Sequence, residues 1–338
     1  MTAPIRLSPA LTIERHLSVD DLRTQMRDDV RRGLTATRKW LPPTYFYDTE
    51  GSRLFDEITR LPEYYPTRRE RAALVACAAD IAGATQADTL VEIGSGTSEK
   101  TRLLLDAMHD IGTLEQFVPF DVDESVLLTA GEAIATAYPR VAVHAVVGDF
   151  TKHTPLLPRE GRRLVAFLGS TIGNLEPEPR ARFLRDVADN LREGDAFLLG
   201  IDLVKDAARL QRAYDDAAGV TAAFNRNVLR VLDRELAADA DPDAFDHVAL
   251  WDAENEWIEM RLRARRSLEV HIADLDLTVA FRPGEDVRTE TSAKFRREGV
   301  ERELAEAGLV LQRWWTDPAA DVALALATPI GSELSDPS

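Results

Sequence analysis

Apolar and polar positions along the chain follow two rhythms. From about Ala87 to Asp202, compact apolar runs alternate with amphipathic stretches. ADTLVEI, QFVPFD, VAVHAVVGD, RRLVAFLGS and the end of REGDAFLLGID are short, apolar and closed by turn residues, as buried strands are. Between them, SEKTRLLLDAMHDI spaces Leu103, Leu104, Ala107, Met108 and Ile111 by three and four residues, which puts them on one helical face. SVLLTAGEAIATAY and RARFLRDVADNL also read as helices. Strands alternating with helices predict an α/β domain with a parallel, doubly wound sheet.

The rhythm then changes. Asp206 to Leu236 reads as helix interrupted at Gly219. In HVALWDAENEWIEMRLRARRSLEVHI, Ile258, Met260 and Leu262 alternate with Glu259, Arg261 and Arg263, the period of a half-buried antiparallel strand. The polar turn at Asp252–Asn255 makes a hairpin of it. After that, REGVERELAEAG predicts a helix stopped by Gly308, and LVLQRWW and DVALALA predict two strands joined by TDPAA. One α/β domain (68–204 plus 295–331) is therefore interrupted by a second, α+β domain (16–67 plus 205–294), whose first segment is expected to pack with the insert. Residues 1–15 and 331–338 read as loose ends. Of Trp314 and Trp315, one is expected in the core and the other over the sheet face.

Composition narrows the class. A chain of 338 residues with 45% hydrophobic content can bury a core without staples. Its one cysteine, Cys77, permits no intramolecular disulfide and suits a reducing cytoplasm. No apolar run reaches the ~18 residues of a membrane helix, and MTAPIRLSPALTIERH lacks a signal-type core. A net charge of −17 repels phosphate backbones, so no nucleic acid is expected as partner, and the lack of a long apolar run leaves no membrane expected either. The basic pairs Arg68–Arg69 and Arg162–Arg163 read as solvated surface. The six histidines show no metal-ligand spacing, so no metal is expected. Nothing suggests a coiled coil or a long exposed edge, which favours a monomer.

The loop VEIGSGTSEK carries the chemistry. A glycine-rich turn from strand to helix lets backbone approach a ligand, and the helix N-terminus beyond it offers free N–H groups. A dinucleotide fingerprint would place its third glycine at Glu99, and an acidic residue there argues against a pyrophosphate. Glu92, Gly94 and Gly96 instead resemble motif I of the class I S-adenosylmethionine-dependent methyltransferases, with Ser98 where the common form has another glycine. Asp121 ends the second strand, 25 residues beyond Gly96, where an acid can accept both ribose hydroxyls. Asp149 ends the third, where an acid can accept an adenine amino group while Phe150 packs on the ring. Each acid alone could be no more than a helix cap; it is their order along successive strands that points to adenosine.

YFYD, GSRLF, LPEYYPTR, GSGTSEK, FLGSTIGN and YDDAAGVTAAFN extend the resemblance over about residues 16–330. The chain resembles the histidine-specific N-methyltransferases of ergothioneine biosynthesis. LPEYYPTR and STIGN mark the wider family; Glu290 and Ser292 in RTETSAKF favour the histidine enzymes within it. The resemblance implies a class I methyltransferase seven-stranded sheet, with the terminal helix-strand-strand unit as its antiparallel end, and a separate substrate domain. It implies three methyl transfers from S-adenosylmethionine, as co-substrate, to the α-amine of L-histidine, giving hercynine. By similarity, Gly94 and Lys100 hold the donor's methionine end, Asp121 the ribose, and Asp149 with Phe150 the adenine. Tyr64 and Tyr214 would take the substrate carboxylate, Asn174 and Tyr47 the amine, and Glu290 and Ser292 the imidazole. Tyr47, Tyr64 and Phe55 are candidates for an aromatic wall around the quaternary product, since an aromatic face attracts a cation without needing N–H donors. Core packing is the competing explanation for those rings. Competing functions are a related N-methyltransferase with another amino acid or small amine, a non-catalytic S-adenosylmethionine-binding protein, and a nicotinamide-dependent oxidoreductase.

Overall fold

The computed structural model describes residues 4–8, 10–332 and 334. The chain folds into two compact units: the described parts of 1–18, 68–203 and 295–338, and residues 19–67 with 204–294.

The first unit is built on a nine-stranded sheet. Seven of its strands run in the order Ala142–Val147, Gln116–Asp121, Thr89–Ile93, Arg163–Phe167, Ala196–Asp202, Val322–Pro329 and Leu309–Thr316. The first five are mutually parallel; Val322–Pro329 runs antiparallel to both of its neighbours, so Leu309–Thr316 runs in the direction of the first five. All residues of Thr89–Ile93, Arg163–Phe167 and Ala196–Asp202 are buried, which is why they read as continuous apolar runs rather than alternating ones. The sheet reverses its strand order between Thr89–Ile93 and Arg163–Phe167, and ligand crevices open at such points, beyond the carboxyl ends of the strands.

Three expectations need correction here. The N-terminus is not a loose end over its described residues: Leu11–Arg15 pairs in parallel with Ala142–Val147, and Ile5–Arg6 pairs back on it. Leu11 and Ile13 are fully buried in the sheet core. The segment is short and its alternation spans only two apolar positions, so it carried little signal. Arg163 is not solvated surface but has no exposed area. Its guanidinium donates to Asp195 at 2.6 and 3.1 Å, to the Asn190 side chain and carbonyl at 2.7 Å, and to the Pro158 carbonyl at 2.8 Å. That satisfies a cation in the interior, whose burial is otherwise prohibitive. Neither Trp314 nor Trp315 is fully buried; Trp315 packs against the core's edge and Arg297 lies over Trp314. Residues 333 and 335–338 of the expected C-terminal loose end lie outside the described residues, while Ser332 is buried.

The second unit wraps helices on a small sheet. Helices Val19–Thr35, Thr49–Arg60, Ala207–Tyr214 and Val220–Leu236 accompany a four-stranded sheet in the order Lys39–Trp40, Asp286–Ala293, Trp257–Ala264 and Phe245–Asp252. Ile258, Met260 and Leu262 face a core with Phe224, Val228 and Leu232, so the alternation read in the sequence is the buried face. The N-terminal segment contributes Val30, Leu34, Phe46, Leu54 and Ile58 to that same core. The strand Asp286–Ala293 escaped prediction because VRTETS is almost entirely polar; Thr289 and Thr291 are nonetheless buried. Its register slips opposite Met260–Arg261, leaving Thr289 as the extra residue of a bulge. Bulges re-aim the side chains that follow them, and here those are Glu290 and Ser292.

Candidate active site

The first unit gathers the residues expected to hold adenosine. Gly94 and Gly96 both have positive φ, +66° and +48°, a conformation glycine reaches without a Cβ clash. Ser98 takes the same left-handed region at φ +53°, and its hydroxyl donates to the Glu92 carboxylate at 2.9 Å, which offsets that strain. Thr101 donates to the other Glu92 oxygen. The loop is thus tied down from beneath by an almost completely buried acid. Burial pushes the Glu92 carboxyl up to about 7, against the pull of the Thr101 and Ser98 hydroxyls.

That shift has a testable sign. A carboxyl raised from about 4.5 to about 7 on folding gives stability that is complete below about pH 4.5 and is lost as pH rises through 7. By pH 8 the penalty reaches roughly 3 kcal/mol. The amide of Glu92→Gln cannot ionise. The melting temperature of Glu92→Gln relative to the parent should therefore rise between pH 5 and about pH 7 and level off by pH 8. A difference independent of pH would show that Glu92 does not titrate in this range.

Asp121 stands at the end of the next strand. Its carboxylate accepts from the backbone N–H of Gly96 at 2.9 Å, Val122 at 2.7 Å and Asp123 at 3.2 Å. Burial pushes its pKa up, and those three N–H groups oppose the shift. One side chain therefore fixes the glycine loop and presents a carboxylate beside it. Asp149 caps the short helix Phe150–His153, accepting from the Thr151 N–H at 2.9 Å and hydroxyl at 2.6 Å. Phe150 is half-buried against Phe167 and Phe183, at ring separations of 5.2 and 5.6 Å. The extra N-terminal strand meets this corner: the His16 N–H donates to Val147, and Arg15 binds Glu124 with two bonds of 2.7 and 2.6 Å.

Lys100 is paired with Glu70, a residue the sequence did not single out. Glu70 is almost completely buried and also accepts from the Gly169 N–H at 2.6 Å. A Cβ on Gly200 would sit 2.2 Å from its carboxylate oxygen, so that strand position must be glycine for Glu70 to fit. The signal was present: Glu70 precedes Ala73, Leu74 and Cys77 by three, four and seven residues, and all three are core. Gly169 leads through Ser170, at φ +57°, into the 3-10 turn Thr171–Asn174, which ends on half-buried Asn174.

The second unit brings most of the expected substrate residues into one row. The ring of Tyr47 lies 5.6 Å from Phe55, Phe55 lies 6.2 Å from Tyr64, and Tyr64 lies 6.3 Å from Tyr214, each pair edge-on. Phe224, not picked out from sequence, braces Tyr47 and Phe55 at 5.6 and 6.0 Å. Tyr47 is 46% exposed, so its ring is no core filler. The turn that presents it is pinned by Asp48, which accepts from Gly51 N–H, Asn227 and Arg234, each at 2.7 Å.

The row ends at Ser292, whose hydroxyl is 2.8 Å from the Tyr214 phenol. Glu290, two residues earlier on the strand, projects from the same face and is half-buried. Tyr214 is held from behind as well. His247 donates from Nε2 to the Tyr214 carbonyl at 2.8 Å and accepts at Nδ1 from Asn225 at 2.8 Å. Burial pulls the His247 pKa down, consistent with a neutral ring used as a strut. Asn225 in turn accepts from Thr289, the bulge residue, at 2.6 Å. The motif YDDAAGVTAAFN is thus a mount for Tyr214: Asp216 caps the helix by accepting from Val220 and Thr221, and Asn225 reaches back from it.

Lys294 is another charged residue that the sequence did not single out. It is 4% exposed and donates from Nζ to both Tyr214 and Ser292. Among the described residues, no cluster of histidine, cysteine and carboxylate side chains could hold a metal ion, and no helix is long and apolar enough to cross a membrane.

A profile of S-adenosylmethionine-dependent, histidine-specific methyltransferases matches residues 26–329. The chain is 60% identical over 317 residues to the histidine N-alpha-methyltransferase of Mycolicibacterium smegmatis, covering 94% of this chain and 99% of that one. It is 58% identical to the enzyme of the same name from Mycobacterium tuberculosis, with the same coverage. A further relative is ergothioneine biosynthesis protein 1 of Schizosaccharomyces pombe, 30% identical over 75% of this chain and 34% of that one.

Proposed function

The chain belongs to the S-adenosylmethionine-dependent, histidine-specific methyltransferase family, and on that premise we propose that it trimethylates the α-amine of L-histidine to hercynine, a step of ergothioneine biosynthesis. The observation that carries the substrate assignment is the row Tyr47, Phe55, Tyr64, Tyr214 and Ser292, with Glu290 on the same strand face as Ser292.

In this reading residues 68–204 plus 295–331 bind S-adenosylmethionine and residues 16–67 plus 205–294 bind the amino acid. Gly94 and Gly96 leave room for the donor to lie against the loop backbone. Lys100 takes its carboxylate, Asp121 the ribose hydroxyls, Asp149 the adenine amine, and Phe150 packs on the ring. The sulfonium donor supplies an activated methyl group with a good leaving group, which is why no metal is invoked. What remains for the protein is alignment. An α-amine titrates near ~8, so much of it begins protonated at neutral pH. The Asn174 amide oxygen can accept an amine N–H and so direct the lone pair. The Tyr47 phenol can accept or donate as methyl groups replace hydrogens. It is no strong base, since a free phenol titrates near ~10. The aromatic faces of Tyr47, Phe55 and Tyr64 attract the cationic product. A monomer working in the cytoplasm completes the proposal, in keeping with the lone buried Cys77 and the charge of −17.

The test is mass spectrometry of the protein incubated with S-adenosylmethionine and each of the twenty amino acids. A gain of three methyl groups on L-histidine alone is expected. Methylation of another amino acid would keep the donor site and overturn the roles of Glu290 and Ser292. Donor binding without turnover on any amino acid would favour a binding protein.

A further inference from the structure

Two hydroxyls and one ammonium form a closed triangle in the second unit. Lys294 Nζ lies 2.9 Å from the Tyr214 hydroxyl and 2.9 Å from the Ser292 hydroxyl, which are 2.8 Å from each other. The same Nζ sits 4.7 Å from the centre of the Tyr214 ring. Lysine can only donate, so both oxygens accept from it. One of the two hydroxyls then donates its hydrogen to the other. The linked pair of hydroxyls therefore has a cation behind it.

We propose that Lys294 is the residue that makes this enzyme demand a free α-carboxylate: its ammonium polarises the Tyr214 phenol and turns it into a charge-assisted donor. The proposal rests on the reading in which Tyr214 receives histidine's carboxylate. A carboxylate taken out of water needs compensation beyond neutral hydroxyls. Lys294 supplies positive charge one hydrogen bond away, with no flexible side chain inside the pocket. With the Tyr214 hydrogen directed to the carboxylate, Ser292 donates to Tyr214 and keeps a lone pair for an imidazole N–H.

The experiment compares L-histidine with L-histidinamide, whose head group is uncharged, as substrates of the parent and of Lys294→Met, Lys294→Gln and Lys294→Arg. Losing a charge-assisted bond should lower kcat/KM for histidine about 100-fold in Lys294→Met, mostly through KM, while histidinamide changes by less than about threefold. Lys294→Arg should keep the preference within about tenfold of the parent. Equal losses on both substrates would mean a merely structural role and would overturn the proposal. So would an unchanged preference in Lys294→Met, or in Lys294→Gln should the methionine variant not fold. A parent protein inactive on histidine would instead overturn the underlying reading, and it is seen before any variant is compared.

Discussion

Asp121→Ala will lose S-adenosylhomocysteine binding by roughly 100- to 10,000-fold, measured by titration calorimetry, while the protein stays folded. The reasoning has two parts. The carboxylate is expected to accept two ribose hydroxyls, and hydrogen bonds to a charged acceptor contribute about 1.5–3 kcal/mol each. It also holds the N–H of Gly96, so its removal lets go of the glycine loop on which the donor is proposed to lie. Those two losses add, because one acts on the ligand and the other on the site's shape before the ligand arrives. Asp121→Asn keeps an acceptor oxygen and the side chain's volume, so it should fall between, at about tenfold. Binding by Asp121→Ala at parental strength would show that the ribose lies elsewhere, however well the loop is formed.

Glu290→Ala should weaken L-histidine binding by roughly 30- to 1,000-fold with S-adenosylhomocysteine affinity changed less than about twofold. Glu290 is half-buried and shares a strand face with Ser292. A site that pairs ring nitrogens is selective because an analogue lacking them leaves its polar groups unsatisfied. Removing the acid should therefore narrow the gap between histidine and phenylalanine as well as weaken histidine. Glu290→Gln retains an acceptor and should lose less. A comparable loss of both ligands in Glu290→Ala would mean that the substitution damages the fold and that the imidazole assignment is unsupported.

What the chain's pattern revealed follows from where its residues are buried. The parallel strands are covered on both faces, so each wrote itself as a continuous apolar run. The strand Trp257–Ala264 buries one face, so it wrote itself as alternation. Asp286–Ala293 buries threonines and carries Glu290 and Ser292 among them, so it wrote neither pattern, and only its resemblance to a family exposed those two residues. The charged residues misjudged share one feature. Glu70, Arg163 and Lys294 are charged side chains that are almost completely buried, and charge in a sequence reads as surface until the partner is known. Arg163 needs Asp195 and Asn190, some thirty residues on, while Lys294 needs a tyrosine 80 residues back. No local window contains both halves of such a pair. The N-terminal strand was hidden for a related reason, since its partner Ala142–Val147 lies about 130 residues later.

The order in which these strands become available during synthesis is a consequence of the same topology. Ala196–Asp202 carries an open edge until Val322–Pro329 emerges to pair with it, about 120 residues later. A ribosome adding 5–20 residues per second takes roughly 6–25 s over that stretch. Throughout that interval a fully buried apolar strand waits without its neighbour while the whole segment 204–294 is made. That segment, together with residues 19–67, can form its own core in the meantime. The nascent chain is therefore most exposed to aggregation and to chaperones not at its start but in its final third, when the smaller unit is complete and the larger sheet still lacks its closing hairpin.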